Sequence, residues 1–270
     1  MAKIKVGIIG CGTIGSAIAK SVLNIFSDRA TLDFLCDHTP ERAIRLRQKL
    51  GSKTAIVTIE TLIRRSDFIV EAASASVSGE IARQSLREGK EVLIMSVGGL
   101  LAGRGLPQFT SQNKGRLWIP SGAIAGVDGL LAACEGGIRS VKLITRKPPA
   151  GLRDAPYFLI QKFPELKGRK EYCVFKGNAK AAVKAFPQNI NVAAVLSLAG
   201  IGPAKTKVEI WTSRAYQRNQ HEIILEGRSG RIHSVTQNLP SNENPKTSAL
   251  AIYSAIATLR KIFSRIRIGT

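Results

Sequence analysis

The segment Gly10-Cys-Gly12-Thr13-Ile14-Gly15 carries three glycines at the spacing that lets a main chain wrap a pyrophosphate. Gly10 permits a tight turn, Gly12 lets phosphate oxygens approach the backbone, and Gly15 lets the following helix pack closely. Asp37, 22 residues beyond Gly15, offers a carboxylate where the ribose hydroxyls of an adenosine would donate. That favours NAD, while His38 and Arg42 leave room for the 2′-phosphate of NADP. For proton transfer near neutral pH the chain has three histidines, His38, His221 and His233. His38 falls beside the adenosine end and His233 inside a strand, whereas His221 opens a strand. His221 is the best placed of them, although a histidine at a strand end is ordinarily structural. Lys246, Thr247 and Ser248, at the expected start of the last helix, are candidates to receive a substrate carboxylate, with plain helix capping as the equal alternative.

These groups need strands and helices to hold them. Lys3–Ile9 is a nearly continuous apolar run, the pattern of a strand buried on both faces, and Ile14, Ala17, Ile18, Ser21, Val22 and Ile25 follow at helical spacing. The glycines therefore occupy a strand-to-helix turn. Strands near Thr31–Cys36, Ala55–Val57, Asp67–Glu71, Glu91–Met95 and Arg116–Ile119 alternate with helices near Pro40–Leu50, from Glu60, near Ser78–Arg87 and near Leu106–Gln112. This alternation predicts a doubly wound parallel sheet. From Ser140 onward Ser140–Arg146, Glu171–Phe175, Thr206–Thr212, Glu222–Glu226 and Ile232–Val235 alternate polar with apolar residues, predicting a mixed or antiparallel sheet with one wet face. Gly227–Gly230 should turn a hairpin, and helices near Ala179–Ala185 and Val192–Leu198 should cover the other face. Asn244 and Pro245 read as N-cap and first position of the last helix. The fold class is thus α/β: a Rossmann-type domain over residues 1–121, a smaller α+β substrate domain over 122–243, and a helix over about 244–270 packing back on the first domain.

Composition narrows the function. At 270 residues with 44% hydrophobic and 22% charged residues, the chain should fold throughout. The four cysteines lie far apart and no histidines stand at metal-finger spacing, so neither zinc nor a disulfide framework is expected. No segment reads as a signal peptide or a membrane span, which predicts a cytoplasmic protein. The net charge of +21 is concentrated in residues 131–270, with 23 Lys+Arg against 8 Asp+Glu. Aromatic residues amount to 6% and no compact basic motif occurs, which argues against nucleic acid and for small anionic ligands.

Beyond the glycine loop, the motifs Ser121-Gly-Ala-Ile-Ala-Gly126, Phe186-Pro-Gln-Asn-Ile-Asn-Val-Ala-Ala194, His221-Glu-Ile and Asn244-Pro-Lys-Thr-Ser248 occur in an order that resembles the L-aspartate dehydrogenases over essentially the whole chain. The departures are Val127 and Gly129 after the turn, and a more basic chain. The resemblance implies NAD(P)-dependent oxidative deamination of L-aspartate to oxaloacetate and ammonia through iminoaspartate, which in that family also feeds NAD biosynthesis. It places cofactor contacts on the glycine loop, Ala123 and Asn191, makes His221 the catalytic residue, and implies a homodimer. Read from the residues alone, Asn191 equally caps the following helix. The rival readings are a related dehydrogenase or reductase, such as homoserine dehydrogenase or dihydrodipicolinate reductase, and a dinucleotide-sensing or nucleic-acid-binding protein.

Overall fold

The computed structural model describes residues 2–101, 114–187 and 191–269. The chain divides into two compact units, Met1–Pro120 with Ile252–Arg267 and Ser121–Ala251 with Ile268–Thr270.

The first unit runs β1 (Ile4–Ile9), α1 (Thr13–Asn24), β2 (Ala30–Cys36), α2 (Pro40–Lys49), β3 (Ala55–Ile56), α3 (Ile59–Arg65), β4 (Phe68–Glu71), α4 (Ala75–Arg87), β5 (Glu91–Ile94) and β6 (Arg116–Trp118). The strands form one parallel sheet in the order β3-β2-β1-β4-β5-β6, the Rossmann order. Helices on both faces bury the central strands, which is why β1 and β4 are apolar runs: Val6, Ile8, Ile69 and Val70 are fully buried. The order reverses between β1 and β4, so the loops following those strands open side by side at the carboxyl edge. The helix expected near Leu106–Gln112 lies outside the described residues.

The second unit contains α5 (Val127–Gly136), β7 (Ile138–Lys147), α6 (Tyr157–Ile160), β8 (Tyr172–Asn178), α7 (Ala179–Ala185), α8 (Asn191–Ala199), β9 (Lys207–Thr212), β10 (Asn219–Gly227), β11 (Gly230–Asn238), β12 (Pro240–Ser241) and β13 (Asn244–Ser248). Its sheet has the order β11-β10-β7-β9-β8, antiparallel except for the β7–β9 pair, and β10 and β11 form the expected hairpin. Along β7 and β10 the buried side chains alternate, with Val141, Leu143, Ile223 and Leu225 on the core face. The opposite face carries ion pairs, Arg146 to Glu222 at 2.6 Å and Lys142 to Glu209 at 3.0 Å.

The chain from Asn244 departs from expectation. Asn244–Ser248 is not the first turn of a helix but β13, paired with β12, and the last helix, α9, is Ala249–Phe263. A proline lacks the N–H that a helix start leaves unused, but an outer strand of a two-stranded ribbon can spare it too. Here Ser241 Oγ accepts the Asn244 N–H at 3.1 Å and donates to the Asn244 carbonyl at 3.0 Å, closing a tight turn where a helix cap was expected. The far end of α9 completes the first unit. Ala255 and Leu259 are fully buried in its apolar cluster, and the Phe263 ring meets Phe26 and Phe68 edge-on at 5.4 and 5.9 Å. Among the described residues no helix is long and apolar enough to cross a membrane.

Candidate functional site

The glycine loop of the first unit is held by close backbone approaches. Gly10 has φ +98°, and a Cβ there would stand 2.5 Å from the Ala72 carbonyl at the end of β4. A Cβ on Gly15 would stand 1.8 Å from the Gly10 oxygen. Gly12 is different, because nothing lies within 4 Å of its Cβ position. Gly12 also caps α1 without a side chain, and the first turn holds no acidic residue. The N–H groups of Thr13, Ile14 and Gly15 therefore keep their donor capacity for an anion. This open cradle with uncapped amides fits a dinucleotide pyrophosphate.

Asp37 stands just past the end of β2. Its Oδ2 accepts the Cys11 N–H at 2.7 Å and its Oδ1 accepts the Thr39 N–H at 2.8 Å. A carboxylate has about four lone-pair sites, so ribose hydroxyls can still be received. The Cys11 thiol beside it is pushed up to about 12 by burial, with the Asp37 and Cys36 charges adding to the rise, so it stays protonated. Sequence reasoning missed Glu71, which ends β4 fully buried. Its carboxylate accepts the Ala73 N–H at 2.8 Å and the Ser96 N–H at 2.9 Å, joining the loops after β4 and β5. Burial raises its pKa against the pull of those amides.

In the second unit, His221 is the third residue of β10 and only 4% exposed. Strand register sets it directly between Thr145 of β7 and Thr236 of β11, with Ile210 of β9 beyond Thr145. His221 Nδ1 lies 3.1 Å from Thr145 Oγ1, and no hydrogen bond reaches Nε2 from the described residues. In the next row of the same face, Lys147 stands opposite Thr212 and is 6% exposed. Burial, helped by the Lys147 charge, pushes His221 down to about 3, so its ring is neutral at physiological pH. Burial pushes Lys147 down to about 8.

The turn containing Ala123 is tied to this face. The Ala123 carbonyl accepts Asn238 Nδ2 at 2.8 Å and Thr236 Oγ1 at 3.2 Å, and Ser234 Oγ donates to the Ala125 carbonyl at 3.1 Å. Thr236 Oγ1 is also 3.3 Å from the His221 carbonyl, so one hydroxyl joins the turn to the strand. The structure thus brings Ala123 and His221 into one centre. Asn191 is the first residue of α8, and Lys246, Thr247 and Ser248 lie on β13; no hydrogen bond links His221 to Asn191, Thr247 or Ser248 among the described residues. Ser248 Oγ is buried without a partner among those residues, which leaves a hydroxyl available to an acceptor. Lys147 and Thr145 were not singled out from the sequence. Their signal was parity, since Val141, Leu143, Thr145 and Lys147 share the buried face of β7.

Comparison with known proteins gives a consistent picture. Residues 128–262 match the family model described as aspartate dehydrogenase, C-terminal, and residues 10–117 match the homoserine dehydrogenase NAD binding domain. An L-aspartate dehydrogenase of Methanosarcina acetivorans is 44% identical, with 99% of this chain and 100% of the relative covered. L-aspartate dehydrogenase 3 of Bordetella bronchiseptica is 36% identical over 99% of this chain and 98% of its own. Among solved structures, aspartate dehydrogenase of Thermotoga maritima superposes with a TM-score of 0.75 at 26% identity, covering 99% of this chain and 100% of that one. A myo-inositol dehydrogenase of Lactobacillus casei shares the fold alone, with a TM-score of 0.57, 12% identity, and 97% and 86% of the chains covered.

Proposed function

The chain belongs to the L-aspartate dehydrogenase family, and from that premise we propose that it catalyses NAD(P)-dependent oxidative deamination of L-aspartate to oxaloacetate and ammonia through iminoaspartate. The observation that carries the reading is the buried centre in which His221, hydrogen-bonded to Thr145, is tied through Thr236 to the Ala123 turn.

The main-chain N–H groups of Gly12, Thr13, Ile14 and Gly15 hold the pyrophosphate around the turn that Gly10 permits, the Gly10 N–H itself being given to the Cys36 carbonyl at 2.8 Å, and Asp37 receives the ribose hydroxyls. Ala123 and Asn191 serve the nicotinamide end. When bound, the nicotinamide supplies the hydride acceptor for the substrate Cα. His221 manages protons at the carbon that becomes the carbonyl. With Nδ1–H donated to Thr145, Nε2 is left as the acceptor for a proton from the water that attacks the imine. Lys246, Thr247 and Ser248 offer donors to a substrate carboxylate, with the unpartnered Ser248 hydroxyl in support. The same reading makes the protein a cytoplasmic homodimer whose iminoaspartate is available to NAD biosynthesis, on the strength of the family resemblance.

The test is absorbance at 340 nm with purified protein, L-aspartate and NAD⁺ or NADP⁺ at mildly alkaline pH. D-Aspartate, L-glutamate and L-homoserine serve as controls, L-homoserine because the first half matches a homoserine dehydrogenase domain. Cofactor reduction specific to L-aspartate is expected. Reduction with L-homoserine alone, or with no substrate, overturns the reading.

A further inference from the structure

Lys147 is a cationic side chain built into the core face of a sheet. Strand alternation sends its neighbours Lys142 and Arg146 to the opposite face, where they pair with Glu209 and Glu222, while Lys147 follows Val141, Leu143 and Thr145 inward. Across the strands it faces Thr212 of β9, and Thr212 Oγ1 donates to the Lys147 carbonyl at 2.9 Å, fixing the end of β7. On the other side its diagonal neighbour is His221, one pleat away, a separation that long side chains span. Among the described residues of β7, β9 and β10, His221 is the titratable group sharing this face with Lys147. Glu209 and Glu222 alternate away from it.

We propose that Lys147 is a second catalytic residue of this centre, the base that takes a proton from the ammonium group of the substrate amino acid. The proposal rests on the aspartate dehydrogenase reading above. At neutral pH the substrate nitrogen is an ammonium without a lone pair, so the Cα–H bond cannot release hydride. Neutral Lys147 Nζ takes one N–H proton and becomes the ammonium, while the N–H bonding pair stays on the substrate nitrogen. That pair forms the C=N bond as the Cα–H pair leaves as hydride to the oxidised nicotinamide. His221 does not fit this first step, because burial holds its conjugate acid near 3, too weak a base for an ammonium though sufficient for water, whose protons turn strongly acidic as its oxygen bonds to the imine carbon; burial brings Lys147 down to about 8, where neutral amine is populated at mildly alkaline pH. The two groups divide the work, Lys147 at the nitrogen and His221 at the water.

The experiment compares wild type, Lys147→Met, Lys147→Arg and His221→Ala by kcat as a function of pH, with succinate binding measured by calorimetry in the presence of the oxidised cofactor. Arginine keeps the charge but does not give up its proton. Both Lys147 variants should lose about 10²–10⁴-fold in kcat. Lys147→Arg should nevertheless bind succinate within about threefold of wild type. Wild-type kcat should rise with pH to a plateau through a limb near 8, which His221→Ala keeps in its residual activity and both Lys147 variants lose. Lys147→Arg with near-wild-type turnover, or Lys147→Met with raised KM and unchanged kcat, makes Lys147 a carboxylate ligand and overturns the proposal. If the variants do not fold, a wild-type profile without a limb between about pH 7 and 9 overturns it by itself. A wild type that does not oxidise L-aspartate sinks the parent reading and this one together, whereas active wild type with active variants sinks this one alone.

Discussion

The carboxylate of Asp37 accepts the backbone N–H of Cys11 at 2.7 Å, so the residue placed to read a ribose also clamps the glycine loop to the end of β2. Its other oxygen holds the Thr39 amide at the start of α2. Asp37→Ser should raise KM for NAD⁺ by about tenfold or more and KM for NADP⁺ by much less, because a 2′-phosphate gains from removal of the charge. Loss of the clamp should also cost about 1–2 kcal/mol of stability, given that the side chain is partly buried. Steady-state kinetics with both cofactors and thermal unfolding check the two effects separately, and equal loss for both cofactors would show that Asp37 does not discriminate at the ribose.

Gly12 and Gly15 should fail differently. At Gly12 an added methyl group meets nothing within 4 Å, and φ is −76°, so Gly12→Ala should change stability by no more than about 0.5 kcal/mol. It should nonetheless weaken NADH binding at least tenfold, because the methyl fills the cradle. Gly15→Ala drives a carbon against the Gly10 oxygen and should lower the unfolding free energy by about 1–3 kcal/mol. Fluorescence titration with NADH and urea unfolding measure these quantities.

His221→Ala should lower kcat by about 10²–10⁴-fold and leave the NADH dissociation constant nearly unchanged. Thr145→Val removes the partner of Nδ1 and should give a smaller loss, about tenfold, because the ring stays but loses the hydrogen bond that orients it. A His221→Ala enzyme with full turnover would remove His221 from the mechanism.

Stability should depend on pH through the same centre. Burial lowers Lys147 from 10.5 to about 8 and His221 from 6.5 to about 3. In both windows the unfolded chain binds the proton more tightly than the folded one, so folding stability rises with pH across each. The contribution is full above the unfolded value and is lost as pH falls to the folded one. Lys147→Met should therefore be more stable than wild type at pH 8 relative to the same comparison at pH 10.5, by about 1–3 kcal/mol. His221→Asn should flatten the slope between about pH 3 and 6.5 in the same way. Urea unfolding of each pair across pH tests the sign.

The first unit was legible because its signals are local. A parallel strand buried on both faces reads as an apolar run, and Gly10 and Gly15 sit where backbone contacts demand glycine. The hairpin carrying His221 was legible from strict alternation. The helix Val127–Gly136 was not, because Gly129 and Gly136 weaken its propensity and its apolar residues give no clear polar face. Asn244-Pro245 misled because cap and proline signals serve a helix start and the turn of a short ribbon alike, and the choice was made by Ser241, three residues upstream. Lys147 escaped notice because its role depends on what β9 and β10 place beside it, which one strand's pattern does not contain.

The first unit draws its core from both ends of the chain, since Ala255, Leu259 and Phe263 pack with Phe26 and Phe68. On a ribosome this domain cannot be completed in the order in which it is made. Its sheet emerges first and must wait, with an apolar side open, until the entire second unit and the last helix have been synthesised. A prematurely terminated chain would therefore forfeit the integrity of its earliest-made domain, which makes translation through the final helix a checkpoint on dinucleotide binding.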